Sequence, residues 1–219
     1  NGKTIQPFKV GPDYLDPQLL TKVAQRPCRN LDLILCNKNW VRANFHNHGG
    51  ATDLALIEGV MGLFDGIGST DKGSTAEIAK ELKLPIVLTV NARGQAASLA
   101  ALIKGFRDQD PKLKLAGVVL NQVNTERHRS LLKEVLNSIN VKMLGSLPSD
   151  PILKLPSRYL GLTPADEITD LEKRIEAWAQ IAEENLNLKI FSNLLKAPIL
   201  KQRPISLKIN TKKKATFTH

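Results

Sequence analysis

The sequence predicts an α/β fold, a mostly parallel sheet covered by helices on both faces. Three observations predict it. Apolar runs such as Leu54–Ile57, Pro85–Val90 and Leu115–Leu120 are continuous rather than alternating, as expected of strands buried on both faces. Helical segments separate these runs at regular spacing, the pattern of successive βαβ units. Every polar motif of chemical interest falls just after a predicted strand, where such folds bind their ligands.

In chain order, Ile5–Val10 reads as a short strand, followed by a Pro-bearing loop and a helix near Gln18–Ala24. Asn37–His46 reads as a helix capped by Asn37, whose side chain suits an N-cap. Asp53–Glu58 is a buried strand. A Gly-rich segment leads into a helix at Thr75–Leu82, with Ser74 or Thr75 suited to capping. Pro85–Val90 is β-branched and reads as a strand, and Ala96–Phe106 is rich in good helix formers. Leu115–Leu120, Glu126–Leu136 and Val141–Leu147 continue the strand–helix–strand order. Asp166–Glu184 is expected to be one long helix packing back on the sheet, with Leu171, Ile175, Trp178, Ala179 and Ala182 on one face. From Asn185 onward the pattern is that of a linker.

With 219 residues and 42% apolar content, the chain can bury one sizeable core. Its net charge of +10 is unevenly placed. Residues 1–184 hold 23 basic and 21 acidic residues, while residues 185–219 hold eight basic and none acidic. The tail carries only Phe217 after Phe191, so it lacks the aromatic interleaving of a nucleic-acid face, and no nucleic-acid partner is expected. Cys28 and Cys36 form no CxxC and read as reduced thiols. Neither a membrane span nor a signal peptide is expected, which points to the cytoplasm.

The candidate site is built from strand ends. Lys9-Val10-Gly11-Pro12-Asp13-Tyr14-Leu15-Asp16-Pro17 places two carboxylates three residues apart in a loop stiffened by proline. Asp13 and Asp16 can face one cation or one set of substrate donors; Asp and Pro also simply favour turns. Lys9 can reach a phosphate or carboxylate, or be a solvated strand-end lysine. Glu58 ends an apolar strand and is followed by Gly59, Gly62, Asp65 and Gly66. A carboxylate there is costly unless paired or bound to a cation, and the glycines allow close backbone approach to a ligand; an acidic residue in a loop that merely looks buried is the plain alternative. Arg93 follows another strand and suits bidentate contact with carboxylate or phosphate; a surface ion pair is the plain alternative. Asn121 follows the next strand and can read the edge of a base or make a loop bond. Pro148 follows the last strand and can border that base. His128, between Arg127 and Arg129, reads as part of a solvated helix face. Asn1-Gly2-Lys3-Thr4 ends like a phosphate-binding loop but lacks its earlier positions and its helix, so it reads as a turn before a strand.

Lys9–Pro17, Glu58–Gly66, Ala92-Arg93-Gly94, Asn121-Gln122-Val123 and Leu160-Gly161-Leu162 resemble the cobyrinic acid a,c-diamide synthase family, over residues 1 to about 195. The resemblance implies a P-loop-NTPase-like, dethiobiotin-synthetase-like three-layer fold that is N-terminally incomplete. It implies a partial synthetase domain at 1–195 and a basic linker or aberrant tail at 196–219. The implied activity is ATP- and glutamine-dependent amidation of the a and c carboxylates of a corrinoid in cobalamin biosynthesis, with ATP and Mg2+ as cofactors. Catalytic roles then go to Asp13, Asp16 and Glu58, and substrate contacts to Lys9, Tyr14, Asp65 and Arg93. Asn121 and Pro148 border the nucleotide, and Glu58 with Asp13 face magnesium. A glutaminase domain supplying ammonia and a homodimer are the implied partners. Family members carry a phosphate-loop strand ahead of the position of Asn1, expected to be central in the sheet. A chain without it is expected to have open apolar strand edges, low stability or a strand-donating partner, and negligible ATP hydrolysis. The alternatives are a non-catalytic remnant that binds corrinoid or a partner, a cobyric acid synthase, and another tetrapyrrole-acid or dethiobiotin-type ligase.

Overall fold

The computed structural model describes residues 2–158 and 161–197. Leu160 and the tail from residue 198, including Phe217, lie outside the described residues. The elements run β1 (Ile5–Val10), α1 (Asp16–Ala24), β2 (Arg29–Leu31), α2 (Lys38–Gly49), β3 (Leu54–Glu58), α3 (Thr75–Leu82), β4 (Pro85–Asn91) and α4 (Ser98–Asp108). They continue with β5 (Lys114–Asn121), α5 (Glu126–Ser138), β6 (Met143–Leu147), the antiparallel pair β7 (Ser157–Arg158) and β8 (Gly161–Leu162), α6 (Leu171–Asn185) and α7 (Leu188–Leu194).

Six strands form two parallel three-stranded sheets, ordered β2-β1-β3 and β4-β5-β6. Among the described residues no ladder joins β3 to β4. Helix α3 spans the break. Its Ile78 packs with Phe8, Val10, Leu31, Val41 and Phe45 under the first sheet. Its Ala76 and Ala79 pack with Leu63 and Ile86 beside the second. The larger core lies under β4-β5-β6, where Val90, Val118 and Leu120 meet Leu99 and Ile103 of α4 and Leu132 and Leu136 of α5. β1 has buried side chains at five consecutive positions, Gln6 to Val10, so it is covered on both faces even where its residues are polar, at Gln6 and Lys9.

Local chemistry sets the helix ends. Asn37 Oδ1 accepts from Trp40 N (2.9 Å) and caps α2. Thr125 Oγ1 accepts from His128 N (3.2 Å) and caps α5. Ser74 is fully buried and accepts from Glu77 N (3.2 Å), while the Glu77 carboxylate reaches back to Gly73 N (2.6 Å). That is a capping box whose return bond lands one residue early. No helix is long and apolar enough to cross a membrane among the described residues.

Three expectations are corrected. The single helix at Asp166–Glu184 is a 3₁₀ turn at Ala165–Glu167 followed by α6. Burial of Ala165, Ile168 and Leu171 in one small cluster bends the chain between them, and Trp178 Nε1 anchors α6 to Ile152 O (2.7 Å). The linker expected after Asn185 includes α7, capped by Asn187 Oδ1 on Ile190 N (3.1 Å). Its flanks pair with the sheets: Leu186 bridges Gly145 of β6, and Lys196 bridges Leu54 on β3. The strand at Asp53–Glu58, expected to be buried, has only Leu54 buried and leaves Leu56 41% exposed, because β3 stands at the edge of its ladder. Short edge strand β2 carries no apolar pattern, since only Leu31 of its three residues is buried.

The face of α2 beneath the first sheet makes a pH prediction. Burial, with Arg42 nearby, holds His46 below the usual histidine range; burial, with Arg29 and Arg26, does the same for His48. Both rings bind protons more readily in the unfolded chain. Their contribution is therefore intact above the unfolded value of about 6.5 and is lost as pH falls through it. The melting midpoint should drop between about pH 7.5 and about pH 5.5. The H46Q/H48Q double variant should show a shallower pH dependence by calorimetry.

Candidate active site

Parallel pairing sets Lys9 opposite Asn30 of β2 and Glu58 of β3, so the C-terminal ends of three adjacent strands converge. The Lys9 side chain is 4% exposed, too little for a solvated strand-end lysine. Its ammonium lies 2.5 Å from Asp16, 3.5 Å from Glu58 and 3.7 Å from Asp13, and it donates to Gly59 O at 3.2 Å. Burial pulls the Lys9 pKa down, but the hydrogen bond it donates to Asp16 and the charges of Glu58, Asp16 and Asp13 outweigh it and hold it above the ordinary lysine value. Burial pushes Glu58 above the usual carboxylate range despite the opposing charge of Lys9; Asp16 and Asp13 push the same way. Glu58 thus has an energetic incentive to meet additional positive charge.

The two aspartates do different work. One Asp13 oxygen accepts from Leu15 N (2.9 Å) and Asp16 N (3.2 Å), an Asx turn that launches α1. Asn30 Nδ2 donates to Asp13 O (2.6 Å) and ties this loop to β2. Asp16 points its carboxylate at Lys9 from the first turn of α1. Asp13, Asp16, Glu58 and Lys9 are therefore brought together.

The remaining candidates lie apart from this cluster. Tyr14 sits on the same loop, 78% exposed, and Met61 and Leu35 project from neighbouring strand-end loops at 75% and 72%. Asp65 turns back on its own loop and accepts from Gly62 N (2.8 Å). Arg93, Asn121 and Pro148 lie at the ends of β4, β5 and β6, on the other sheet. The exposed Arg93 guanidinium makes no ion pair among the described residues. Asn121 Oδ1 accepts from Gln122 N (2.9 Å), leaving its amide NH2 for another acceptor. Asn91, paired in register with Asn121, accepts from Arg93 N (3.0 Å).

Three contributors escaped the sequence reading. Asn30 ties the acidic loop down, yet a lone polar residue in a short strand gives no signal. His128 is partly buried, its Nε2 2.7 Å from Gln95 O, so it links the β4 and β5 loops rather than facing solvent. Thr75 bonds the backbone of Val60, a contact hidden behind its place in a capping sequence.

Among the described residues, no group of three or more His, Cys, Asp or Glu is arranged to hold a metal ion by itself. The carboxylates surround an ammonium instead. Magnesium rarely takes an all-protein cage; it keeps waters and uses one or two carboxylates with phosphate oxygens. Glu58, 46% exposed and sharing the Lys9 ammonium with Asp13, fits such an open set.

A parallel α/β sheet with acidic residues at its strand ends defines a class. The family described as an AAA domain matches residues 37–157, more than half of the chain, and the chain belongs to that family. It also matches cobyrinate a,c-diamide synthases. It is 50% identical over 132 residues to the one from Synechococcus sp. (60% of this chain, 29% of the relative). It is 50% identical over 134 residues to the one from Syntrophotalea carbinolica (61% and 29%). A hydrogenobyrinate a,c-diamide synthase from Streptomyces coelicolor is 45% identical over 134 residues (61% and 28%). The chain spans less than a third of the length of these relatives.

Removing the central ammonium should expose the carboxylates to one another. Lys9→Met is expected to cost about 1–3 kcal/mol, less than a fully buried pair because all three acids keep some solvent contact. Adding Asp16→Asn should recover part of that loss. Urea titration of the single and double variants measures both.

Proposed function

We propose that this chain is the amidating domain of a cobyrinate a,c-diamide synthase. The observation that carries the reading is the convergence of Asp13, Asp16 and Glu58 on Lys9 at parallel strand ends, in a chain 50% identical over 132 residues to one such enzyme. The substrate is a corrinoid whose c carboxylate, then a carboxylate, is activated by ATP as an acyl phosphate. Ammonia from a glutaminase domain attacks the acyl carbon, the C–N bond forms, phosphate leaves with the C–O electrons, and a proton is lost from nitrogen.

Glu58 and Asp13 would hold magnesium, which supplies positive charge to phosphoryl oxygens when bound. Asp16 and Lys9 keep the acidic loop in place, so the carboxylates meet the nucleotide pre-oriented. Tyr14, Asp65 and Arg93 contact the corrinoid side, with Arg93 suited to a peripheral carboxylate. Asn121 offers its amide to the base and Pro148 borders it. The reaction takes place in the cytoplasm, with the ligase working as a homodimer. The 45% identity to a hydrogenobyrinate enzyme supports the cobalt-free ring as a second substrate.

The whole protein incubated with ATP, magnesium, glutamine and either cobyrinate or hydrogenobyrinate should form the a,c-diamide, detected by mass spectrometry. Glu58→Gln should reduce turnover by about a hundredfold or more, because an interaction made chiefly in the transition state is lost. Amidation of a different tetrapyrrole acid, with neither of these two converted, would reject the reading.

A further inference from the structure

The peptide that follows Glu58 is gripped from two directions. On one side the Lys9 ammonium donates to Gly59 O at 3.2 Å. On the other, the Thr75 hydroxyl accepts from Val60 N at 3.0 Å and lies 3.4 Å from Val60 O, to which it can donate. The fit is close. A Cβ on Gly59 would lie 2.8 Å from the Thr75 methyl and 2.9 Å from its hydroxyl, nearer than real Cβ contacts allow. Thr75 itself has little freedom. It is the first residue of α3, directly after the buried cap Ser74, and Ala76 N donates to Leu63 O (2.9 Å). The capping box already satisfies the helix end through Ser74 and Glu77, so the Thr75 hydroxyl is spent on the strand end instead.

We propose that Thr75 is a positioning residue that sets where the Glu58 carboxylate stands, through the Gly59–Val60 backbone. This rests on the reading of Glu58 as a magnesium-facing group. Residues that orient a ligating carboxylate typically change metal affinity by about 10–100-fold when altered. A threonine in this place bonds the backbone and sets its methyl where a Cβ on Gly59 would have to stand. Valine keeps the shape and loses the bonds; serine keeps the bonds and loses the methyl.

The test uses the whole protein and Mn2+ as the probe, with binding followed by electron paramagnetic resonance and amidation measured in parallel. Thr75→Val is expected to weaken Mn2+ binding about tenfold and to raise the magnesium concentration needed for half-maximal turnover by a similar factor. The corrinoid KM should stay near its original value, and Thr75→Ser should restore most of the metal affinity. Gly59→Ala, which drives a Cβ against Thr75, should reproduce the Thr75→Val pattern and stands in for it if that variant does not fold. Wild-type Mn2+ affinity in Thr75→Val or Gly59→Ala, when Glu58→Gln weakens binding, would overturn the role of Thr75 alone. Unchanged Mn2+ affinity in Glu58→Gln would overturn the reading of Glu58 and the inference with it.

Discussion

The ammonium of Lys9 is the charge on which this site depends. Three carboxylates from two strand-end segments converge on it, and each would repel the others without it. Lysine suits the place because its aliphatic stem lies within β1 while the charge emerges at the strand end. Because the ammonium also holds Gly59 O, the acidic loop after β1 and the glycine-rich loop after β3 are parts of one assembly. The Asx turn of Asp13 and the bond from Asn30 bring in β2 as well. Three strands are thus locked at the end where chemistry is expected, and the lock is polar and local.

Helix α3 extends that assembly across the molecule. Its N-terminus is fixed by Ser74 and Glu77, and its first residue holds the segment after Glu58. Its body contributes to the cores of both sheets. The acidic cluster on β2-β1-β3 and the amides at the ends of β4 and β5 therefore share a rigid support although no strand ladder joins them among the described residues.

Much of the fold was legible because a buried parallel strand such as β5 writes a continuous apolar run, and the caps Asn37 and Ser74 occur just where helices start; β3 carries such a run without the burial. The failures have physical causes. β2 is too short to carry a pattern, and the Asp166–Glu184 helix was broken by tertiary burial of Ile168 and Leu171, which outweighs a continuous helical period. In the site, Asp13, Asp16 and Glu58 were visible as carboxylates after strands. Their convergence on a buried lysine was not, because register between β1 and β3 decides it and register is a tertiary property. Thr75 and His128 were hidden for a related reason. A capping sequence and a basic helix face each offered a sufficient local explanation, and only the fold shows that these side chains reach other loops.

The charge count of the cluster supports the reading of Glu58 as a cation-facing group. One ammonium cannot neutralise three carboxylates, so the assembly keeps a net negative charge at the mouth of the sheet. Glu58, the most exposed of the three acids at 46%, is held above its ordinary value by partial burial and by its acidic neighbours, and the backbone that follows it is bonded by Thr75. A purely structural network would be expected to balance its charges and to bond the end of β3 through ordinary loop contacts. Here the excess charge is left unbalanced and the backbone beneath it is clamped by both Lys9 and Thr75. A fixed, under-neutralised carboxylate at a strand end is the arrangement that an incoming cation stabilises most, because the cost of orienting the acid has already been met in folding.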